Sequence, residues 1–320
     1  MIRFRFDPMK NSKLPYYFKN GVLLILPSLL YRFSLGKALK TIDNYDASYL
    51  TDRVNYYNKL SQAFALEPHA KSIEEFKSES KKTYFFDLYR YLRYFSEAFK
   101  ISYLFGDITQ IPSSPSLLKS RPIEGGNQNS VLMKLNKVRH FIFVNDTIAF
   151  KDKKNMAVWR GKAYRDHRQK FLETFYNHPK CDVGQTNTKG NVKAPWQKKK
   201  MSLKEQLKYK FILSIEGNDV ASNLKWVMSS NSLAFMTKPK YETWFMEGRL
   251  IPNHHYVLLN DDYSDLEEKI DYYAIHTDEA ELIIANANAY TKQFQDEKRE
   301  DLISLLVLQK YFKLSAQLSD

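Results

Sequence analysis

Two groups of residues have the types and spacing to hold an anion. In the first, Glu216-Gly217-Asn218-Asp219 forms a turn, with Gly for permissive backbone angles and Asn/Asp to cap the next element. Ser222 and Lys225 come directly after it, so a hydroxyl, a cation and unpaired backbone N–H groups are offered to one place. In the second, Arg160-Gly161 is followed by Arg165 and Arg168. A guanidinium can grip a phosphate through two parallel hydrogen bonds. Each charged hydrogen bond is worth about 1.5–3 kcal/mol net. The chemistry on offer is therefore recognition of a phosphate or diphosphate. The same residues also fit an ordinary solvated loop and a solvated helix face.

The elements that must position these groups can be read from apolar spacing. Lys210–Ile215 is a short apolar run of strand length. Val220–Ser230 has helical spacing through Val220, Leu224, Val227 and Met228, and Ser232–Met236 is a second apolar run. This strand–helix–strand order predicts a parallel sheet. Glu216–Ser222 then sits where a strand's carboxyl end meets a helix, the place where open α/β sheets bind ligands. Ala157–Trp159 is a third strand running into Arg160, and Asp166–Tyr176 is the helix after it.

The runs EGNDVASNLKW, PKYETWFMEG and HHYVLLNDDYSDL resemble glycosyltransferase family 90. Upstream, FGDITQIPSSPSLLKSRPI, NSVLMKLNKVRHF and VWRGKAYRDHR fit the same family, so the resemblance spans roughly Tyr84 to Phe312. It is stronger to the bacterial lipopolysaccharide core glycosyltransferases than to the eukaryotic protein O-glucosyl- and O-xylosyltransferases. The resemblance implies an α/β, GT-B-like fold: two Rossmann-like domains facing a cleft, with a C-terminal helical segment. Periodicity by itself gives only α/β, in two domains. The expected division is 1–150 for the acceptor side, 151–295 for the nucleotide-sugar donor, and 296–320 as a helix packing back toward the N-terminal domain.

The resemblance also implies roles. Asp107, in an Asp-x-x-x-x-Pro segment that ends at Pro112, matches the catalytic base. Arg160, Gly161 and Arg168 match an Arg-Gly segment with a second Arg eight residues on, while Arg165 has no clear counterpart. Glu216, Asn218, Ala221, Ser222, Asn223 and Lys225 form a second donor wall. Glu216 departs from the eukaryotic branch, where arginine stands, and its role stays open. Glu242 is read as a holder of a sugar or ribose hydroxyl, with Glu247 as the runner-up or a turn cap. The implied reaction is inverting, metal-independent transfer of glucose or galactose from a UDP-hexose to the lipopolysaccharide core oligosaccharide. UDP-sugar is a co-substrate, and no cofactor or metal is expected. His254-His255 reads as structural, and Asp261-Asp262 as a turn before a helix.

Composition narrows the partners. The formal charge is +13 in 320 residues, which suits phosphate-rich ligands, acidic lipid or nucleic acid. No RNP, zinc-finger or basic heptad signature is present, so nucleic acid is not expected as a partner. The single Cys181 excludes an internal disulfide framework and suits a reducing cytosol. Gly21–Phe33, GVLLILPSLLYRF, is too short to span a bilayer, which takes about 20 residues. Two readings stand for it: a basic interfacial patch on an acidic membrane, or a buried strand and turn. The expected location is cytoplasmic, peripheral on the inner membrane in the first of these readings.

Elsewhere, helices are expected at Asp52–Leu66, Tyr84–Phe99, Leu203–Tyr209, Thr277–Phe294 and Lys298–Leu314. Strands are expected at Ile101–Phe105 and Arg139–Val144, and a polar loop at Thr186–Lys200. A non-catalytic basic binder of acidic lipid or polysaccharide is the alternative from another class. A glycosyltransferase with a protein acceptor is the alternative enzyme.

Overall fold

A computed structural model describes residues 13–77, 82–188 and 194–318. Part of the Thr186–Lys200 loop lies outside them. The chain divides into two compact units. One holds His140–Pro239 and Arg249–Gln293, and the other Ser12–Arg139, Lys240–Gly248 and Phe294–Asp320. Lys153, in the charged stretch where a boundary near 150 was expected, is buried in the first of these and bonded to Asp146 at 2.7 Å.

The first unit is built on five parallel strands. Their order across the sheet is Val257–Leu258, Leu233–Met236, Tyr209–Leu213, Lys154–Gly161 and Cys181–Gln185. Tyr209–Leu213 and Leu233–Met236 are buried throughout, as a strand covered on both faces must be. In chain order the sheet reads 2-1-3-4-5, so the winding reverses between Lys154–Gly161 and Tyr209–Leu213. Such a reversal leaves a crevice at the strands' carboxyl ends. The helices Asp166–Phe175, Leu266–Ile275 and Thr277–Lys292 contribute Phe171, Leu172, Ile270, Ala280, Ile283 and Ile284 to the same core.

The second unit has a three-stranded parallel sheet of Tyr103–Leu104, Ser116–Leu118 and Ser130–Leu132. Tyr241–Thr243 returns to pair antiparallel with Ser120–Pro122. The helix Glu297–Leu314 packs on the helices Ala47–Tyr57 and Lys82–Leu92. Its Glu300 is 1% exposed and receives bonds from Arg53 Nη2 at 2.8 Å, Trp244 Nε1 at 2.6 Å and Lys134 Nζ at 3.4 Å. Tyr57 stacks on Trp244 with ring centres 3.7 Å apart.

Several sequence expectations need correction. The helix expected over Asp52–Leu66 is Ala47–Tyr57: Asp46 caps it by accepting from Tyr49 N, and Asn58 is extended and accepts from Leu60 N. The Tyr84–Phe99 helix is Lys82–Leu92. Ile101–Phe105 divides into two short strands, Lys100–Ile101 and Tyr103–Leu104. Arg139–Val144 is no strand. Lys137–His140 is one helical turn, and Val144 N is satisfied by Ser229 Oγ rather than by a ladder. The helix expected over Val220–Ser230 is only Leu224–Met228. Ahead of it Gly217 N closes a tight turn on Asp219 O, and Asn223 Nδ2 donates to Leu213 O, which fixes the preceding segment as a loop. Gly21–Phe33 is not a buried strand and turn but part of two helices, α1 (Lys13–Ile25) and α2 (Ser28–Leu39).

Candidate active site

The basic residues gather where the winding reverses. The strand Lys154–Gly161 ends beside the loop after Tyr209–Leu213, and the helix Asp166–Phe175 begins there. Arg168 donates from all three guanidinium nitrogens: to Glu216 O at 2.8 Å, Lys162 O at 2.8 Å and Ile215 O at 2.6 Å. It thereby ties the two strand-end loops together. Carbonyls carry no net charge, so these bonds orient the guanidinium without neutralising it. Arg165 Nε donates to Asn218 Oδ1 at 2.6 Å, and His167 Nε2 lies 2.9 Å from Glu216 O. Three cationic or ionisable side chains from the start of one helix thus meet Glu216–Asn218.

Trp159 and Gly161 support this clamp. The Arg168 guanidinium carbon lies 5.4 Å from the Trp159 ring centre. A Cβ on Gly161 would stand 2.3 Å from a Trp159 ring carbon, so only glycine lets that ring lie across the strand end. A Cβ on Gly217 would approach Arg168 Nη2 to 3.4 Å.

Other members of the expected donor wall are placed differently. Arg160 Nη1 donates to Asp182 O and Nη2 to Asp182 Oδ1, both at 2.6 Å, so it cross-links two neighbouring strands. Burial alone would raise the Asp182 carboxyl. Hydrogen bonds from Tyr209, Arg160 and Lys198 outweigh it and hold the carboxyl down at about 2. Lys225 is 0% exposed, with its ammonium 6.0 Å from the Phe141 ring centre, so it lies inside the unit. Ala221 is also buried, whereas Ser222 and Asn223 are half-buried and Asn218 is exposed. Glu242 belongs to the second unit and is 1% exposed. Its carboxylate receives Arg121 Nε at 2.7 Å and the Tyr56 hydroxyl, and Gly248 leaves the room this approach needs. Glu247 is likewise buried and accepts from Thr243 N at 2.6 Å.

Asp107 stands in the second unit, past the end of Tyr103–Leu104. Gly106 turns the chain there at φ +128°, a conformation that favours glycine. The next parallel strand, Ser116–Leu118, ends at Lys119, which is 2% exposed and bonds Asp107 Oδ1 at 2.5 Å. Adjacent parallel strands put both residues at carboxyl ends, which is why they meet. The loop after Asp107 is pinned by Ser120 Oγ to Ile108 O and by Asn129 Nδ2 to the carbonyls of Pro112 and Ser113. Sequence reading missed Lys119. The available signal was its position directly after an apolar run, whereas Asp107 was singled out by the family resemblance.

His254 and His255 meet edge to face with ring centres 4.6 Å apart. Burial and the neighbouring His254 lower His255 to about 4, and its Nδ1 accepts from Ile251 N at 3.0 Å. Asp262 accepts from Ser264 N in the turn before Leu266–Ile275. Among the described residues no group of three or more His, Cys, Asp or Glu is placed to hold a metal ion.

With this geometry in place, comparison with known proteins identifies the family. The model for glycosyl transferase family 90 matches residues 128–317. O-glucosyltransferase LpsA of Dichelobacter nodosus is 45% identical over 305 residues, which cover 94% of this chain and 96% of that protein. The chain belongs to glycosyl transferase family 90. It is therefore a glycosyltransferase, and the reading as a non-catalytic binder falls. Protein O-glucosyltransferase 3 of Homo sapiens is a more distant relative of this family 90 chain, 27% identical over 165 residues. The Rattus norvegicus protein of the same name matches to the same extent. In both cases the match covers 50% of this chain and 32% of the relative.

Proposed function

We propose that the chain is an inverting O-glucosyltransferase that moves glucose from UDP-glucose to the core oligosaccharide of a lipopolysaccharide on the cytoplasmic side of a membrane. The observation that carries this is the 45% identity, over nearly the whole of both chains, to O-glucosyltransferase LpsA. The division of labour is of GT-B type. The unit with the five-stranded sheet takes the donor, and the other unit supplies the base.

The acceptor hydroxyl attacks the anomeric carbon, the bond from that carbon to the diphosphate breaks, and UDP departs. The hydroxyl proton passes to Asp107, whose carboxylate Lys119 holds in place through Oδ1. Arg168 and Arg165, at the reversal point of the sheet, offset the charge that grows on the diphosphate, with Asn218 bonded to Arg165. In this reading Arg160, Lys225 and Glu242 are structural supports of the site, and no metal takes part in the step.

The test is UDP release with a panel of nucleotide sugars and purified lipopolysaccharide core, with and without a chelator. UDP-glucose should be turned over well ahead of UDP-galactose, and chelation should leave the rate unchanged. A preference for UDP-galactose, or transfer to a protein but not to the core sugar, would overturn the assignment.

A further inference from the structure

The helices α1 and α2 invert the usual order of burial. On α1 the polar side chains point inward. Tyr16 Oη donates to Asp87 Oδ1 at 2.8 Å and to Thr83 O at 3.1 Å, and Asn20 is 6% exposed. The apolar residues point outward: Leu14 is 82% exposed, Phe18 76% and Ile25 82%, with Val22 between them. The spacing 14, 18, 22 and 25 is one face of a helix. On α2 no residue is buried, and Leu29, Leu30 and Phe33 are exposed. A helix that turns a half-buried tyrosine and a buried asparagine inward while showing leucine, isoleucine and phenylalanine to water is paired with something other than water.

Charge identifies the occupant. Neither helix contains an acidic residue, and Lys19, Lys37 and Lys40 are exposed around the apolar face. Arg32 is the exception, bonded to Glu97 at 2.9 Å. Length excludes spanning. Helices of 13 and 12 residues reach only about 20 Å, against about 30 Å of hydrocarbon. Among the described residues no helix is long and apolar enough to cross a membrane. What remains is a helix pair that lies in the plane of a membrane surface, apolar face in the acyl boundary and lysines at the headgroups.

We propose that α1 and α2 form a docking surface for an anionic lipid bilayer. Arg93 secures the pair from beneath. Its Nη2 donates to Leu26 O between the two helices, and its guanidinium carbon lies 3.8 Å from the Tyr31 ring centre. A lipid-anchored acceptor gives the surface its use, so that part rests on the proposed reaction, but membrane binding itself is measurable without donor or acceptor.

The experiment is co-sedimentation of the full chain with vesicles containing phosphatidylglycerol and, in parallel, phosphatidylcholine alone. Binding should favour the anionic vesicles, weaken with salt and survive in part at high salt, because the apolar face does not depend on charge. Phe18→Glu combined with Ile25→Glu should weaken binding at least about tenfold. Lys19→Glu with Lys37→Glu should remove the preference for anionic lipid. Both pairs lie on exposed side chains, so thermal unfolding and turnover of a soluble core oligosaccharide should not change. No vesicle binding, or equal binding by wild type and the Phe18/Ile25 variant, would overturn the proposal. So would a concentration-dependent dimer that the same variant abolishes, because a second copy would then be the occupant. Loss of turnover with every sugar, while vesicle binding persists, would strike the reaction and leave the docking surface standing.

Discussion

Arg168 and Arg53 are the same residue type held in opposite ways. Arg53 is 0% exposed and meets the carboxylate of Glu300, and Arg121 meets that of Glu242 in the same unit. Those pairs cancel charge inside a core. Arg168 is half-buried and bonds three main-chain carbonyls, and those contacts fix its direction. The difference separates arginines paired with a carboxylate from one held by main-chain carbonyls more sharply than sequence position does. Arg160, eight residues before Arg168, falls on the stabilising side because Asp182 meets it.

The largest expected effect breaks the stabilising kind. Glu300→Ala strands Arg53 and leaves Trp244 Nε1 without its acceptor. Losing one partner of a buried ionic network costs roughly 3–5 kcal/mol, so denaturant unfolding should show a drop of that size. Arg168→Ala sharpens the other side. UDP-glucose affinity should fall by about tenfold to a hundredfold, the weight of one or two charge-assisted bonds, while the unfolding midpoint moves far less. Equal loss of stability in both variants would erase the distinction.

The smallest effect concerns Asp182. Its folded carboxyl sits near 2, below its ordinary value near 4, so its contribution to stability is present above about pH 4 and is lost as pH falls toward 2. Asp182→Asn should therefore flatten the acid limb of the stability profile by about 1 kcal/mol, allowing for solvent screening of a partly exposed group. A wild-type profile with no acid limb between those values would contradict the pairing with Arg160.

Legibility in the sequence tracks the range of each interaction. Tyr209–Leu213 and Leu233–Met236 are apolar runs of strand length, and local pattern found them within two residues. The helix Asp166–Phe175, with Arg168 in its first turn, was legible for the same reason. Glu242 was not. Its partner is set by antiparallel register, which places Glu242 opposite Arg121 across more than a hundred residues of chain. Local spacing carries no trace of that pairing, so the burial of Glu242 and its bond from Arg121 were not foreseen. Lys225 does lie in the first turn of a helix, but Val220 to Asn223 folds as a loop, the helix is only Leu224–Met228, and the lysine is buried, which local spacing does not show. The outward apolar face of α1 and α2 was half visible: composition showed the apolar run, but only the inward hydrogen bonds of Tyr16 show which way it turns.

The central claim is glucosyl transfer with Asp107 as the base, and Asp107→Asn tests it most directly. Asparagine keeps the shape and the reach to Lys119 but cannot accept the proton. UDP-glucose binding, measured by calorimetry, should stay within about twofold of wild type, because the proposal assigns the donor to the other unit. Turnover with lipopolysaccharide core should fall by roughly 10²–10⁴, the usual weight of general base catalysis. Near-normal turnover in Asp107→Asn would contradict the account.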